Sequence, residues 1–256
     1  MRVIFLGTGT SVGVPSIGCD CATCLSEDFR DKRLRTSVLI EHRGNNVLID
    51  ASTDFRQQAL RIGLKKLDAI LFTHSHADHC FGLDDARPLM FSGGAISCYA
   101  TETTWAGLKR IYAYAFQPSE YPGLPRIIAH RIEGPFNLLG LEVETLPVTH
   151  GRLEVSAFRI GDFGYVTDCN SIPDATCERL RHLDLLVIDA LRFKSHPTHM
   201  NLDQALEYVR RLKPRRALLT HISHDIRHAQ TSEHLPAGVE IAYDGLEVEV
   251  PSPTIA

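Results

Sequence analysis

The sequence predicts a mixed α/β fold in which two β-rich halves, each covered by helices, share one body. Three observations carry that reading. Short β-branched and aromatic runs alternate with helical periodicities and turn signals along the chain. With 256 residues, 44% of them hydrophobic, the chain is long enough to bury roughly three quarters of the surface it exposes unfolded, so it needs no disulfide staples. No linker, low-complexity stretch or repeat divides it, and residues 1–256 are expected to form a single domain.

The first strand is expected over Arg2 to Leu6, emptying into the Gly-, Thr- and Ser-rich loop Gly7 to Gly13. Strands over Ser37 to Glu41 and Val47 to Asp50 precede an amphipathic helix over Asp54 to Ile62, with Asp54 its cap candidate, and then a strand over Ala69 to Thr73. Thr101 or Thr103 opens a helix through Trp105, Leu108, Ile111 and Ala115 that Pro118 ends. Further strands are expected over Arg126 to Ile132, Glu142 to Val148, Val155 to Ile160, Tyr165 to Thr167, Leu185 to Asp189, Ala217 to Thr220 and Val239 to Val250, with helices over Pro173 to Leu180 and Leu202 to Leu212. Tyr112, Tyr114 and Phe116 read as core or interface packing, with a substrate lid as the alternative.

Lys and Arg total 27 against 31 Asp and Glu, a formal charge of −4 with no long run of one sign, which argues against a nucleic-acid partner. The longest apolar runs, Val3 to Leu6 and Leu185 to Ile188, are strand-length and far short of the ~20 residues of a membrane helix, so a soluble protein with no membrane partner is expected. The N-terminal residues carry no export-signal pattern. Three of the seven cysteines crowd into Cys19, Cys21 and Cys24, a spacing that suits a metal better than a disulfide framework and points to a reducing cytoplasm. Cys80, Cys98, Cys169 and Cys177 read as core thiols.

The densest signal follows the strand at Ala69: His74, His76, Asp78 and His79 place four potential ligands in six residues. Imidazole and carboxylate suit zinc, manganese or iron, and side chains one residue apart on a turn can face two neighbouring ions. His150, Asp168 and His221 each follow a threonine that closes an apolar run, so each stands where a sheet can aim it at a common point.

This constellation resembles the metallo-β-lactamase superfamily from Gly7-Thr-Gly9 to His224. The resemblance implies a four-layer αββα sandwich with a two-metal hydrolytic site between its sheets. It further implies that His74, His76 and His150 hold one ion, that Asp78, His79 and His221 hold the other, and that Asp168 bridges them. Asp50, at the end of a predicted strand, matches the acid that orients the HxHxDH turn from behind the ligands. His76 stands where the oxygen-reducing diiron branch carries glutamate, which favours hydrolysis.

Cys19, Cys21 and Cys24 supply three thiolates, one short of a closed tetrahedral zinc site, so the fourth ligand must be distant. An iron–sulfur or redox element is the competing reading, disfavoured because no fourth cysteine stands at cluster spacing. Leu6 to Pro15, Gly18 to Cys24 and Thr220 to His224 together resemble the PhnP-type phosphodiesterases of the carbon–phosphorus lyase pathway, a family that ties its three cysteines and the last histidine, here His224, to a structural zinc. Cys169 departs from that family, which more often has threonine after the bridging aspartate. The Ser195 to Leu202 loop matches the family's substrate-facing region. His199 is the expected proton donor to the leaving oxygen, because an expelled alkoxide wants a proton and imidazole titrates near neutrality; His196 is the alternative donor. Arg192 and Lys194 read as solvated loop charges.

These readings imply a metal-dependent phosphodiesterase with His199 and Asp78 as catalytic residues, two catalytic divalent ions (Mn²⁺ or Zn²⁺) and one structural Zn²⁺. Its expected partner is a small cyclic phosphate or nucleotide-like diester, first among them 5-phosphoribosyl 1,2-cyclic phosphate. A tRNA 3′-processing endonuclease is the first alternative, disfavoured by charge and by the lack of a Gly/Pro/Lys-rich arm. Glyoxalase-type or lactonase activity and a non-catalytic metal-binding protein rank below it, and assembly as a homodimer is left open.

Overall fold

The computed structural model describes residues 1–118 and 121–251. In chain order its strands are β1 (Arg2–Gly7), β2 (Ser37–His42), β3 (Asn45–Ile49), β4 (Ala69–Leu71), β5 (Ile96–Ala100), β6 (Ile127–Arg131), β7 (Phe136–Leu138), β8 (Leu141–His150), β9 (Leu153–Ile160), β10 (Phe163–Val166), β11 (Leu185–Asp189), β12 (Arg216–Thr220), β13 (Val239–Ile241) and β14 (Glu247–Glu249). They form two seven-stranded sheets, ordered β14-β1-β2-β3-β4-β5-β6 and β13-β12-β11-β10-β9-β8-β7.

Each sheet is antiparallel on one side and parallel on the other. β1 to β3 pair antiparallel and β3 to β6 parallel; β7 to β10 pair antiparallel and β10 to β13 parallel. Consequently β1, β3 and β4 end at one edge of the first sheet, and β8, β10, β11 and β12 end at one edge of the second. The backbone ties those edges together: Ser156 N–H donates to the Thr73 carbonyl at 3.0 Å, and Ile222 N–H to the Thr8 carbonyl at 2.9 Å.

Three buried apolar clusters separate four layers. Val3, Phe5, Val38, Ile40, Ile49 and Leu71 meet Val143, Phe158, Tyr165, Val187 and Leu218 between the sheets. The alternate residues of the same strands, Ile4, Leu6, Leu39 and Leu48, face the helices at Phe55–Arg61, Arg87–Gly93 and Glu102–Ile111. Leu186, Ile188 and Leu219 likewise face the helices at Asp174–Arg179 and Leu202–Leu212. Strands buried on both faces need apolar residues at every position, which is why their sequences run unbroken and not in alternation. The αββα sandwich expected from the resemblance is the observed architecture.

Several boundaries differ from expectation. Val239 to Val250 is two short strands in different sheets, separated by a turn in which Gly245 takes φ +92°. Asp54 does not cap its helix; its carboxylate accepts from Arg35 N–H at 2.8 Å and pairs with the Arg35 guanidinium. Thr101, and not Thr103, caps the helix that ends at Ile111. Strands β5 and β7 escaped the sequence reading because Ile96–Ala100 mixes Ser and Cys among its apolar residues and Phe136–Leu138 has three residues. Tyr112 is buried with its hydroxyl on the Cys80 carbonyl and Phe116 packs edge-on to Trp105, as the packing reading expects, whereas Tyr114 is exposed with its hydroxyl on the Asp84 carboxylate. Cys80, Cys98, Cys169 and Cys177 are all buried. Among the described residues no helix is long and apolar enough to cross a membrane.

Phe158 is fully buried between the sheets. Phe158→Ala should therefore lower unfolding free energy by about 3–5 kcal/mol, read in a denaturant titration as a lower midpoint with an unchanged slope.

Candidate metal centre and active site

The strand ends at the joined edges supply the polar cluster. After β4 the chain delivers Thr73 and His74, then one helical turn, Ala77–Cys80, sets Asp78 and His79 on its inner side while His76 stands exposed at the mouth. His150 ends β8, Asp168 follows β10, Asp189 ends β11 and His221 follows β12. Asp50, Asp168 and His221 adopt left-handed backbone, with φ of 62°, 49° and 57°. Such conformations cost non-glycine residues energy and persist where the surroundings impose them; here each turns a side chain out of its strand line and into the seam.

Asp168 holds the centre. Its Oδ1 lies 3.0 Å from His221 Nε2 and 3.2 Å from His79 Nε2, while its Oδ2 lies 3.7 Å from His74 Nε2. Asp78 Oδ2 approaches the first two nitrogens at 3.5 and 3.3 Å. Two ligand groups result, Asp78, His79, Asp168 and His221 on one side and His74, His76 and Asp168 on the other. His150 flanks the second side, its ring 5.3 Å from His76 and 5.8 Å from His74, and forms a further group with Asp168 and His199.

Three of the imidazoles, those of His74, His79 and His150, share one polarity. His79 Nδ1–H donates to Asp50 at 2.7 Å and His150 Nδ1–H to the Thr198 carbonyl at 2.8 Å. The Thr73 hydroxyl donates to Asp50, which leaves its oxygen to accept Nδ1–H of His74 at 3.0 Å. Each Nε2 is thereby turned toward the cluster, free to coordinate once it carries no proton, the arrangement that hydrogen-bond partners behind metal ligands normally impose. Asp50 also accepts Thr73 N–H at 2.8 Å, so one buried carboxylate sets both the start of the turn and its last histidine.

Nε2 of His74, His79 and His221 is buried without a hydrogen bond. Orphaned nitrogens facing acceptor-only carboxylates fit divalent cations, and an N/O donor set suits zinc, manganese or iron. Protonation behaves accordingly. Burial opposes charge on His221 and His79, but Asp168 and Asp78 outweigh it, raising His221 to about 10 and His79 well above its ordinary value. Burial, reinforced by His79, pushes His74 well below its own. The anionic side chains thus favour positive charge at His79 and His221.

His199 packs on the rings of this cluster, whereas the ring contact of His196 is with His199. His199 is 9% exposed, its Nδ1–H donates to Asp189 Oδ2 at 3.0 Å, and its ring lies 4.7 Å from His150 and 4.8 Å from His221. His196 instead accepts from Thr198 N–H and hydroxyl through Nδ1. Arg192 spends its guanidinium on the Lys194 and Ser195 carbonyls. Asp189 went unnoticed in the sequence, where it reads as the last residue of an apolar strand. Fully buried, it accepts from His199 and from Cys169 N–H at 3.0 Å each, and its other oxygen stands 3.9 Å from His221 Nδ1. Its signal is the pattern shared by Asp50, Asp168 and His221, a polar residue closing a buried parallel strand.

Cys19, Cys21 and Cys24 converge on His224, their Sγ atoms 3.1, 3.7 and 3.5 Å from its Nδ1. The Cys24 N–H lowers the Cys21 thiol to about 7, while burial pushes Cys24 up to about 11. Three sulfurs and one nitrogen within ligand reach form a closed four-donor set, the chemistry of a structural zinc.

Fold and site define a metallo-β-lactamase-type hydrolase. The sequence model of the β-lactamase superfamily domain matches residues 45–222, and the chain belongs to that superfamily. Within it the chain belongs to the PhnP family: a crystal structure of a diphosphatase from that family is 46% identical, with a TM-score of 0.93 and 98% of each chain covered. A Porphyromonas gingivalis protein named octanoyltransferase is 40% identical over 252 residues, 96% of this chain, but the chain spans only 51% of that protein's length, and the name belongs to the whole. Zn²⁺-bound PqqB from Methylobacterium extorquens, 20% identical with a TM-score of 0.79 and 98% and 100% of the two chains covered, shares the fold.

Loading should release protons, roughly two per chain from His79 and His221 at neutral pH. Metal affinity should therefore rise with pH. A pH-stat titration of metal-free protein checks both, and loading without proton release would contradict the raised imidazoles.

Proposed function

We propose that this chain is a metal-dependent phosphodiesterase acting on small cyclic phosphates or nucleotide-like diesters, with 5-phosphoribosyl 1,2-cyclic phosphate the first candidate. The observation that carries the reading is Asp168, whose two oxygens face two separate nitrogen groups, with His199 held beside both. His74, His76 and His150 would hold one divalent ion, Mn²⁺ or Zn²⁺, and Asp78, His79 and His221 the other, with Asp168 between. When bound there, such ions supply Lewis acidity toward phosphoryl oxygens and a water acidic enough to attack phosphorus at neutral pH. Cys19, Cys21, Cys24 and His224 would hold a structural Zn²⁺.

The protein's own groups supply the rest. Asp189 fixes the His199 tautomer with Nδ1–H outward, so that Nε2–H of the protonated ring is the proton available to the departing oxygen, and its carboxylate stabilises that imidazolium. Asp50 keeps His79 and the turn rigid while charge shifts at phosphorus. A built proton donor matters most where the leaving group is an alkoxide. Diphosphate cleavage, the activity named for the 46%-identical relative, is the second reading, and its phosphate leaving group demands less protonation.

Steady-state rates on cyclic ribose phosphates, 2′,3′-cyclic nucleotides, linear diesters, diphosphate-linked nucleotides and precursor tRNA separate these readings. Activity toward none of them would overturn phosphorus chemistry here. Asp168→Ala removes a ligand from both sides and should lower diester turnover by several orders of magnitude together with metal content. His199→Ala should cost about 10²- to 10⁴-fold on a sugar-alkoxide leaving group, with metal content unchanged. On a nitrophenyl diester, whose leaving group needs little protonation, the loss should be far smaller. Equal losses on both substrates would assign His199 to positioning.

A further inference from the structure

The loop after β12 carries two ligand candidates for two different clusters, His221 facing Asp168 and His224 facing the cysteines, with only Ile222 and Ser223 between them. The middle of that loop is gripped by a single buried side chain. Arg33 Nη1 donates to the Ser223 carbonyl at 3.1 Å and to the Ile226 carbonyl at 2.9 Å. Its Nη2 donates to Asp31 Oδ1 at 3.0 Å, and that same oxygen accepts the His228 N–H at 2.8 Å. Both side chains of the Arg33–Asp31 pair are 0% exposed. A fully buried ion pair is rarely the most stabilising filling for its volume, and this one satisfies three backbone groups along residues 223–228.

The main chain of Arg33 does a second task. Its N–H donates to the Val14 carbonyl at 2.7 Å and its carbonyl accepts from Val14 N–H at 2.8 Å, closing the loop that contains the three cysteines. Lys32 Nζ fastens the Cys24 carbonyl at 3.0 Å. Arg33 therefore anchors the thiols through its backbone and the two histidines through its guanidinium. His221 needs such an anchor, because its left-handed conformation is held only by what surrounds it.

We propose that Arg33 is a positioning residue that couples the two clusters: an ion bound by Cys19, Cys21, Cys24 and His224 fixes the loop and thereby strengthens ion binding at Asp78, His79, Asp168 and His221. The inference rests on the metal-centre reading above. By linkage the effect is reciprocal, each ion raising the affinity for the other by the same factor. Lysine at position 33 would keep the charge opposite Asp31 but lose the planar fork that serves two carbonyls and a carboxylate at once.

The test is a Co²⁺ titration of the metal-free full-length chain, in which the thiolate-to-metal charge-transfer band reports the cysteine cluster and calorimetry reports the carboxylate cage. Cys21→Ser should abolish the band and weaken the cage about tenfold, the usual scale for groups that orient ligands. Arg33→Lys should keep the band while weakening the cage to a similar extent, and Cys21→Ser added to it should cost little more. Unchanged cage affinity in Cys21→Ser overturns the coupling even if Arg33→Lys does not fold. Fully additive losses in the double variant overturn the role of Arg33. A wild-type chain that fills only the cysteine cluster overturns the coupling and the two-ion reading together, whereas normal filling with no effect of Cys21→Ser removes the coupling alone.

Discussion

Four carboxylates, those of Asp50, Asp78, Asp168 and Asp189, lie buried within one seam, and the rest of the structure is arranged around keeping them there. Burying an unpaired carboxylate costs several kcal/mol even after relaxation. Asp50 and Asp189 are compensated by donors from the protein, Thr73, His79, His199 and Cys169. Asp168 accepts the Thr167 hydroxyl at 3.1 Å, and beyond that Asp78 and Asp168 face the Nε2 atoms of His79 and His221, whose hold on a proton they strengthen. The seam thus has an outer pair of carboxylates held by protein donors, with one Asp189 oxygen left without a hydrogen bond, and an inner pair that added positive charge would complete.

The sandwich makes that geometry affordable. A polar cluster cannot sit between two sheets without interrupting their shared core, but it can sit at the edge where parallel strands end, with apolar packing beneath it and loops above. Close backbone approaches then hold the loops. A Cβ on Gly107 would come within 2.2 Å of Ser75 Oγ, so the absence of a side chain there lets the helix at Glu102–Ile111 press on the HxHxDH turn. Gly151, beside His150, would likewise meet Thr198, the residue whose carbonyl orients His150 and whose neighbour is His199. Either contact transmits core packing directly to a ligand, so substitutions far from any ion can alter the site.

Much of this was legible in the sequence. The HxHxDH turn declares itself by residue type alone, and the threonines before His150, Asp168 and His221 mark strand ends because an apolar run has to stop where the chain meets water. The three cysteines declare themselves by spacing. Asp189 stayed hidden because its role depends on His199, ten positions away in a loop whose path no local pattern fixes. Arg33 stayed hidden for the same reason at greater range, since its partners lie some 190 residues on and it resembles any other loop cation. The split of Val239 to Val250 into two sheets was invisible because both pieces carry the same β-rich composition and only tertiary pairing separates them.

The choice between His199 and His196 shows what residue type cannot decide. The two histidines are three positions apart in one loop, and their rings lie 5.1 Å apart. What distinguishes them is the partner at Nδ1. An acceptor there, the Asp189 carboxylate, makes the nitrogen a donor and sends Nε2 toward the cluster; a donor there, Thr198 N–H, turns Nδ1 into an acceptor and ties the ring to its own loop. The same rule assigns His74, His79 and His150, each of which has an acceptor behind it. Function in this seam is therefore written in the groups behind the imidazoles, and those groups, Asp50, Thr73, Asp189 and the Thr198 carbonyl, are supplied by strand ends and a loop that only the folded sandwich brings together.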